Sequence, residues 1–225
     1  MARGIYYRWW SHRARVESML DFVYGNGEEG SPESVLKAVD KCGWNYSPLM
    51  CVGDVKGLIL DNIVIHHKPK VVVELGGHFG YSAIRIARLL DEDAKLYSIE
   101  ISPLCVAISR ELIRFAGLSN KCTVVLSSSS KAIMELKEKY GIEHVDLLFI
   151  DHVGKLYLPD LRLMEEEGLI KRGSVVVADK VHYNFVVDYL AYTSNENRIY
   201  KSALHETYLQ YSTKLRDAIQ VSVHN

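Results

Sequence analysis

The sequence has almost no excess of charge of either sign. It carries 27 Lys and Arg residues against 28 Asp and Glu residues, which leaves a formal net charge of −1 at pH 7. Surfaces that bind nucleic acids or anionic membranes normally show a clear basic excess. The composition therefore favours neither kind of partner, and we predict that the chain binds no nucleic acid.

Long hydrophobic runs are also missing. No apolar stretch approaches the roughly 18 residues that a membrane-spanning helix needs. The first sixteen residues contain four arginines and no acid, but Tyr6, Tyr7, Trp9 and Trp10 are not typical of an organelle-targeting peptide. We predict a cytoplasmic protein without a membrane span, with an N-terminal arm and helix over residues 1–30.

Cysteine is scarce and shows no C-x-x-C spacing. The four cysteines are Cys42, Cys51, Cys105 and Cys122. Redox and zinc motifs need closely paired cysteines, so neither is indicated. We predict free thiols in a reducing compartment, with two disulfides as the alternative.

The most informative stretch is a glycine-bearing turn between an apolar segment and a helix. The β-branched run at 71–73 predicts a buried parallel strand, which ends in Glu74. Gly76, Gly77 and Gly80 follow, and the chain then continues as a helix. A strand, a glycine turn and a helix in this order direct backbone N–H groups and a helix N-terminus at a ligand.

The spacing of these glycines narrows the choice of ligand. A dinucleotide site needs G-x-G-x-x-G, which glycines at 76, 77 and 80 do not match. Glu74, directly before the turn, favours an amino-bearing or cationic ligand. Glu100 ends the next strand, where an acid accepts hydrogen bonds from ribose hydroxyls. S-adenosylmethionine fits this pattern, and the alternative is an ordinary α/β turn with structural glycines.

Strands and helices alternate along most of the chain. Three helices come first, over 13–24, 31–42 and 54–67. Strands are then predicted near 71–75, 95–100, 122–126, 146–151 and 174–179, with helices over 81–90, 103–116, 129–140, about 158–170 and about 184–195. Two further strands, 197–211 and 216–224, are expected to form an antiparallel pair at one sheet edge. The pattern predicts one α/β domain over 1–225, a Rossmann-like doubly wound sheet of about seven, mostly parallel strands with N-terminal helices and a C-terminal antiparallel strand.

Two of these helices carry expectations about buried faces. In the helix over 54–67, one apolar face is expected to comprise Val55, Leu58, Ile59 and Ile63. The helix over 81–90 is expected to bury its apolar side chains and to leave Arg85 and Arg88 exposed.

Two neighbouring strands end in aspartate, at Asp151 and Asp179. Ligands of open α/β sheets bind beyond the carboxyl ends of strands, so these carboxylates should converge. Mg2+ would relieve their repulsion, and the alternative is a pair of strand-capping acids. Lys180 argues against a metal site. An ammonium about 4 Å from a metal ion would be repelled by roughly 4 kcal/mol for each unit of the ion's charge, at an effective dielectric of 20. Either Lys180 turns away, or its ammonium takes the place of the metal.

These features together resemble those of the catechol O-methyltransferase family, enzymes that use S-adenosylmethionine and Mg2+. The likeness runs from about residue 31 to residue 190. It is carried by Met50–Gly57, Glu74–Ala83, Ile99–Ile101, Ile150–His152, Tyr157–Asp160 and Ala178–Asp179. The glycine turn is specific to S-adenosylmethionine enzymes, and the Asp-His…Tyr-Leu-Pro-Asp run is specific to this family.

The resemblance implies roles for the matching residues. Asp151 and Asp179 would hold the magnesium, and Met50 would lie near the sulfonium methyl. The cofactor would be lined by Met50, Val52, Glu74, Gly76, Tyr81, Ser82, Glu100, Ile101, Ser129, Asp151 and His152. Ser129 has an alternative role in capping a helix.

The sequence departs from the family on the acceptor side. Lys180 stands where the family has an asparagine metal ligand, and Gly154 where it has its catalytic lysine. Gln210 replaces a glutamate that contacts the catechol. The aromatic and proline walls of the catechol slot correspond to Pro48, Val153 and Asn184.

The resemblance predicts an enzyme that transfers a methyl group to a hydroxyl of a catechol or related small phenol, acting as a monomer. Lys155 is the candidate base, and Lys180 is a candidate to orient a phenolate as a fixed cation; Lys180 and Gln210 would contact the substrate. Two alternatives remain: a scaffold that binds the cofactor without turnover, and a metal-independent methyltransferase of another acceptor that uses Lys180 in place of the ion.

Overall fold

The computed structural model describes residues 12–46, 49–194, 196 and 198–225. The predicted N-terminal arm lies outside this range up to residue 11, and the described chain begins with a helix. Three helices precede the first strand: α1 (His12–Asn26), α2 (Pro32–Asn45) and α3 (Gly53–His67).

Strands and helices then alternate, as predicted. The five strands are β1 (Val71–Leu75), β2 (Lys95–Glu100), β3 (Cys122–Leu126), β4 (Leu147–Ile150) and β5 (Val175–Ala178). Each is followed by a helix: α4 (Tyr81–Ala87), α5 (Pro103–Phe115), α6 (Ser129–Tyr140), α7 (Tyr157–Glu166) and α8 (Val187–Tyr192). The chain continues with β6 (Tyr200–Tyr208) and β7 (Arg216–His224). Short 3-10 turns precede α7 and α8.

The strands form one seven-stranded sheet in the order β3-β2-β1-β4-β5-β7-β6. Neighbours among β1 to β5 are parallel, whereas β7 runs antiparallel to both β5 and β6. This confirms the predicted doubly wound sheet with an antiparallel C-terminal edge. Because β1, β2, β4 and β5 run the same way, their carboxyl ends meet at one edge.

Helix starts follow local sequence signals. At the start of α2, the hydroxyl of Ser31 accepts a hydrogen bond from the Ser34 backbone N–H, and Pro32 occupies the first turn. The same device opens α5 with Ser102 and Pro103. Proline fits the first turn because the N–H that it lacks would have no partner inside the helix.

Hydrophobic side chains cover both faces of the sheet. Val72, Leu147 and Phe149 pack with the helices on one face, and Val73 and Leu148 pack with those on the other. Strands buried on both faces are typical of parallel sheets. All four cysteines are buried and free within the described chain, as predicted. None of the helices described here is both long and apolar enough to cross a membrane.

The expected apolar face of α3 was partly wrong. Val55 and Leu58 are 50% and 61% exposed. Ile63 is buried as predicted, and it shares the buried stripe with Lys56 and Leu60. The helix is rotated relative to the prediction because the Lys56 ammonium pairs with carboxylates beneath it.

The expected exposure of Arg85 and Arg88 was also wrong, since Arg85 is buried in the contact between α4 and α3 and the side chain of Arg88 is only 12% exposed. Arg85 Nη2 lies 2.5 Å from Asp61 Oδ2, and Arg88 Nη2 lies 2.6 Å from the same oxygen. Gly57 leaves room for the guanidinium, because a Cβ there would approach Arg85 Nε to 2.4 Å. A buried charge is tolerated when it is paired in this way.

Candidate active site

A cavity of about 250 Å³ lies beyond the carboxyl ends of the parallel strands. Its wall is formed by Met50, Cys51, Gly76, Gly77, His78, Phe79, Tyr81, Ser82, Glu100, Ile101, Asp151, His152, Val153 and Lys180. A smaller cavity of about 110 Å³ shares Gly76, Glu100 and His152 with it and continues to Ser129 and Leu156. The two hollows form an elongated site where the fold predicts a ligand.

Most of the residues predicted to bind the cofactor lie on these walls. The larger cavity brings together Met50, Gly76, Tyr81, Ser82, Glu100, Ile101, Asp151 and His152. Ser129 lines the smaller one, where it is the first residue of α6 after the N-cap Ser128. Val52 and Glu74 are fully buried and border neither cavity.

The glycine turn shapes the cavity without offering all of its backbone donors to a ligand. The N–H groups of Gly76 and Gly77 donate to the Ile99 carbonyl at 2.9 and 3.1 Å, and that of Gly80 donates to Gly77. Gly76 has a φ of 99°, and a Cβ there would lie 2.6 Å from the Asp151 carbonyl oxygen. Only glycine therefore allows β1 and β4 to end so close together.

Glu74 lies beneath this turn. Its Oε2 accepts a hydrogen bond from the hydroxyl of Ser98, while Oε1 has no hydrogen-bond partner among the residues that the structure describes. Burial raises the pKa of Glu74 to about 7, although the hydroxyls of Ser82 and Ser98 oppose the shift. A buried carboxyl with a free oxygen is suited to receive a further hydrogen-bond donor.

Glu100 is held at the junction of the two cavities. Its Oε2 accepts from the His78 backbone N–H at 2.8 Å, and its Oε1 accepts from the Ser102 N–H at 2.7 Å. These contacts fix the carboxylate at the end of β2. Each oxygen keeps further acceptor capacity, as hydrogen bonds from ribose hydroxyls require.

The Asp-His…Tyr-Leu-Pro-Asp run forms one connected unit. His152 Nε2 lies 2.6 Å from Asp160 Oδ2, and its ring stacks on Tyr157 with a 5.4 Å centroid separation. The Tyr157 hydroxyl donates to the Asp179 carbonyl at 3.0 Å. His152 is thus oriented as part of the cavity wall.

Five charged side chains form a continuous row behind and along the cavity. Lys180 Nζ lies 2.5 Å from Asp151 Oδ1 and 3.0 Å from Asp179 Oδ2. Lys56 Nζ lies 2.6 Å from Asp179 Oδ1 and 2.5 Å from Asp217 Oδ2. The row therefore runs Asp217–Lys56–Asp179–Lys180–Asp151. Of these five residues, Asp151 and Lys180 border the cavity, and the other three lie behind its wall.

Burial and ion pairing act in opposite directions on the pKa values of Lys180 and Asp151. Burial works to lower the pKa of Lys180, but Asp151 and Asp179 outweigh it, and the pKa is raised. Burial raises the pKa of Asp151 to about 6, and the Lys180 ammonium opposes this shift. At neutral pH the pair is ionised.

Asp151 and Asp179 converge as predicted, but the site does not fit a divalent cation. The ammonium of Lys180 lies between the two carboxylates, in the position a metal would need. Across the described residues, no group of three or more His, Cys, Asp or Glu side chains could hold a metal ion. Of the two arrangements expected for Lys180, the structure has the one in which the ammonium takes the place of the metal.

The remaining acceptor-side candidates lie at different places. Lys155 borders a separate hollow with Arg162 and Glu166, not the cavity that contains Lys180, and its role as a base stays a prediction. Gln210 is buried, and its Nε2 lies 3.8 Å from Met50 Sδ at the larger cavity. Val153 lines that cavity, and Asn184 begins a 3-10 turn. Pro48 lies outside the described residues.

Some residues that line or support the site were not predicted from the sequence. His78 and Phe79 lie inside the glycine turn, and Cys51 lies inside the Met50–Gly57 segment, so their position in those motifs was an available signal. Lys56 falls on the same helical stripe as Leu60 and Ile63, which could have marked it as buried. Asp217 has no local signal, since it is a single acid at the start of a strand.

Comparison of this sequence with known proteins shows the family to which the chain belongs. The O-methyltransferase family profile matches residues 31–217. Catechol O-methyltransferase of Bos taurus is 38% identical over 211 residues, which covers 94% of this chain and 77% of that protein. Catechol O-methyltransferase B of Danio rerio is 41% identical over 209 residues, covering 93% and 78%.

Solved structures show the same fold. The O-methyltransferase from Bacillus cereus in complex with SAH has a TM-score of 0.71 at 18% identity, covering 94% of this chain and 91% of that one. TomG from Streptomyces achromogenes in complex with SAM has a TM-score of 0.70 at 18% identity, covering 96% and 100%. With the profile match and the two curated relatives, these findings establish that the chain belongs to the O-methyltransferase family.

Proposed function

We propose that this chain transfers a methyl group from S-adenosylmethionine to a hydroxyl of a catechol or related small phenol. The observation that carries the proposal is the elongated cavity at the strand ends, with Glu100 at its centre and Asp151 on its wall. The similarity to curated catechol O-methyltransferases supports the acceptor class. The predicted monomer and cytoplasmic location remain predictions from the sequence.

The residues present fit S-adenosylmethionine. Glu100 offers acceptor capacity for ribose hydroxyls at the junction of the cavities, and the exposed side chains of Ile101 and Met50 offer apolar contacts. The carboxylate of Asp151 on the cavity wall suits the cationic part of the ligand, whereas Glu74 lies beneath the turn and borders neither cavity. When bound, this cofactor supplies an electrophilic methyl group on a positively charged sulfur.

The protein's own task in such a reaction is alignment and control of charge. Methyl transfer to a phenolate removes two opposite charges, so positioning of the acceptor oxygen matters more than strong general base catalysis. His152 is locked by Asp160 and Tyr157, which gives the cavity a rigid wall. Met50 lines the larger cavity, where an acceptor would meet the methyl group, and the buried Gln210 contacts the sulfur of Met50.

Magnesium was expected from Asp151 and Asp179, and the residues as placed do not fit it. The proposed reaction therefore uses no metal ion. Lys155 was the candidate base, and it faces another hollow. In this proposal the acceptor hydroxyl loses its proton to solvent, and the role of Lys155 as a base stays a prediction.

The proposal is tested by calorimetry with S-adenosylhomocysteine, followed by methyl transfer from labelled S-adenosylmethionine to a panel of catechols and phenols. We expect binding and transfer to at least one small phenol. Absence of any heat for the cofactor and its product would refute the cofactor site and the proposal with it.

A second candidate function is a scaffold that binds the cofactor without turnover. It is favoured by the replacement of three acceptor-side residues of the family, at Lys180, Gly154 and Gln210. Binding of S-adenosylhomocysteine with no transfer to any acceptor in the panel would support this candidate over the enzyme.

A further inference from the structure

The geometry points to Lys180 as a built-in cation that takes over the role of a divalent metal, so that methyl transfer proceeds without one and needs only a single acceptor hydroxyl. This inference deepens the proposed function and rests on it. It concerns a residue at which the chain departs from the catechol O-methyltransferases that it resembles.

The ammonium of Lys180 has one more hydrogen-bond donor than its two carboxylate partners use. A lysine ammonium has three N–H groups, and Lys180 directs one to Asp151 Oδ1 and one to Asp179 Oδ2. One N–H remains, and Lys180 borders the cavity in which the acceptor must bind. The free donor is therefore available to one acceptor oxygen.

Lys180 also changes the net charge of the five-residue row. Asp151, Asp179 and Asp217 contribute three negative charges, and Lys56 and Lys180 contribute two positive charges, which leaves −1. With a neutral residue at position 180 the same row would carry −2, which one divalent cation balances. The positive charge of Lys180 reduces the uncompensated negative charge that would attract a divalent cation, and its ammonium occupies the position of that cation.

Lys180 is held firmly in its place between the two carboxylates. Its backbone has a φ of 57°, a left-handed conformation that side-chain-bearing residues rarely adopt and that asparagine tolerates better than lysine. The side chain is nevertheless only 12% exposed and is paired on two sides. Lys56 fixes the opposite oxygen of Asp179, so that the lysine's partner cannot turn away without breaking a second ion pair.

The chemistry follows from one fixed positive charge. The acceptor hydroxyl loses its proton to solvent, and the ammonium donates a hydrogen bond to the resulting oxyanion. An oxygen lone pair forms the new C–O bond, the S–CH3 bond breaks, and its electron pair stays on sulfur as a neutral thioether. Lys180 remains protonated throughout, and no oxidant or other reactant is needed.

The same geometry defines the substrate class. A metal ion with open positions can hold both oxygens of a catechol, whereas the one free N–H of Lys180 can donate to one oxygen. A second, adjacent hydroxyl therefore adds little to binding. We expect a phenol with a single hydroxyl to be methylated within about tenfold of the rate of the matching catechol, since one neutral hydrogen bond contributes only about a factor of ten.

The test compares full-length wild type with Lys180→Asn and Lys180→Met after removal of metals with a chelator. We expect the wild-type rate to be the same with Mg2+ and with chelator. In chelator, Lys180→Met should lose about 100-fold, because it removes one preorganised donor to the oxyanion. Lys180→Asn should lose activity in chelator and recover with Mg2+, because asparagine is a metal ligand and neutral. Loss of wild-type activity in chelator, restored by Mg2+, would overturn the inference.

A second measurement does not depend on turnover. Electron paramagnetic resonance of Mn2+ in the presence of S-adenosylhomocysteine should show free ion with wild type and bound ion with Lys180→Asn. Stoichiometric binding of Mn2+ by wild type, abolished by Asp179→Asn, would overturn the inference.

The outcomes separate this inference from the proposed function. If the protein binds S-adenosylhomocysteine but methylates no phenol, the proposed enzymatic function fails, and the Mn2+ measurement still decides whether Lys180 holds the place of the ion. If methylation occurs only with a divalent metal, the function stands and the inference fails.

Discussion

The ring of Phe185 fills the space that a side chain at Gly154 would need. A Cβ at position 154 would lie 2.0 Å from Cδ2 of Phe185. Phe185 in turn stacks nearly parallel on Tyr183, with the ring centroids 5.5 Å apart. The position that corresponds to the family's catalytic lysine is therefore closed to any larger residue while this aromatic pair is in place.

Gly154→Ala should force the Phe185 ring to move. Overpacking of this kind typically lowers the free energy of unfolding by about 1–3 kcal/mol. We expect the lower part of that range, because Phe185 is about half exposed. In urea denaturation, Gly154→Ala should be less stable than wild type, whereas the same change should have little effect in a Phe185→Ala background. Equal effects in both backgrounds would show that the two residues are not coupled.

Glu100→Ala should weaken the binding of S-adenosylhomocysteine by about 10- to 100-fold, since hydrogen bonds to a charged group contribute about 1.5–3 kcal/mol. The change also removes the acceptor for the His78 and Ser102 backbone N–H groups, so thermal unfolding must be measured alongside calorimetry. Glu92→Ala, at an exposed acid beyond the cavity, is the matched control and should bind as wild type does. Unchanged affinity in a folded Glu100→Ala protein would contradict the ribose role.

Lys56→Met should destabilise the protein by about 3–5 kcal/mol, because it leaves Asp179 and Asp217 buried without their common partner. Lys37→Met, on the exposed side of α2, should change stability little and serves as the control. Adding Asp217→Asn to Lys56→Met should recover part of the loss. Denaturant midpoints measure all three, and a Lys56→Met protein as stable as wild type would contradict the importance of the row.

Stability should fall with rising pH through the titration of Glu74. Its pKa is raised from 4.5 to about 7 in the folded protein, so between these values the folded state binds more protons than the unfolded state. The contribution of neutral Glu74 is then complete below pH 4.5 and is lost as pH rises through about 7, by up to about 3 kcal/mol.

The Glu74→Gln variant isolates this effect, because glutamine keeps the shape and cannot ionise. In the cofactor-free protein, the stability of wild type relative to Glu74→Gln should decrease between pH 4.5 and pH 7. A difference that is constant over this range would mean that Glu74 is charged in the folded state throughout.

Much of the fold could be predicted from the sequence, because in this chain each element carries its own local signal. β-branched runs mark β1 and β5, and a serine followed by proline marks the starts of α2 and α5. The buried face of α3 could not be predicted from apolar side chains, since Lys56 lies on it while Leu58 faces solvent. There, ion pairing with residues far away in sequence outweighs the hydrophobic pattern.

The candidate site divides in the same way. The residues predicted for the cofactor come from short contiguous motifs, and most of them line the two cavities. The acceptor side depends on contacts between distant segments: Lys56 meets Asp217 across 161 positions, and Phe185 covers Gly154 from another loop. No periodicity or motif in the sequence encodes either contact.

Tyr157 has a consequence for how the two halves of the site move. Its ring stacks on the imidazole of His152, and its hydroxyl donates a hydrogen bond to the backbone carbonyl of Asp179. The carboxylate of Asp179 pairs with Lys180. One phenol side chain thus links the His152 wall of the cavity to the backbone beside Lys180. A shift of His152 and a shift of the Asp179 backbone are therefore coupled through a single side chain.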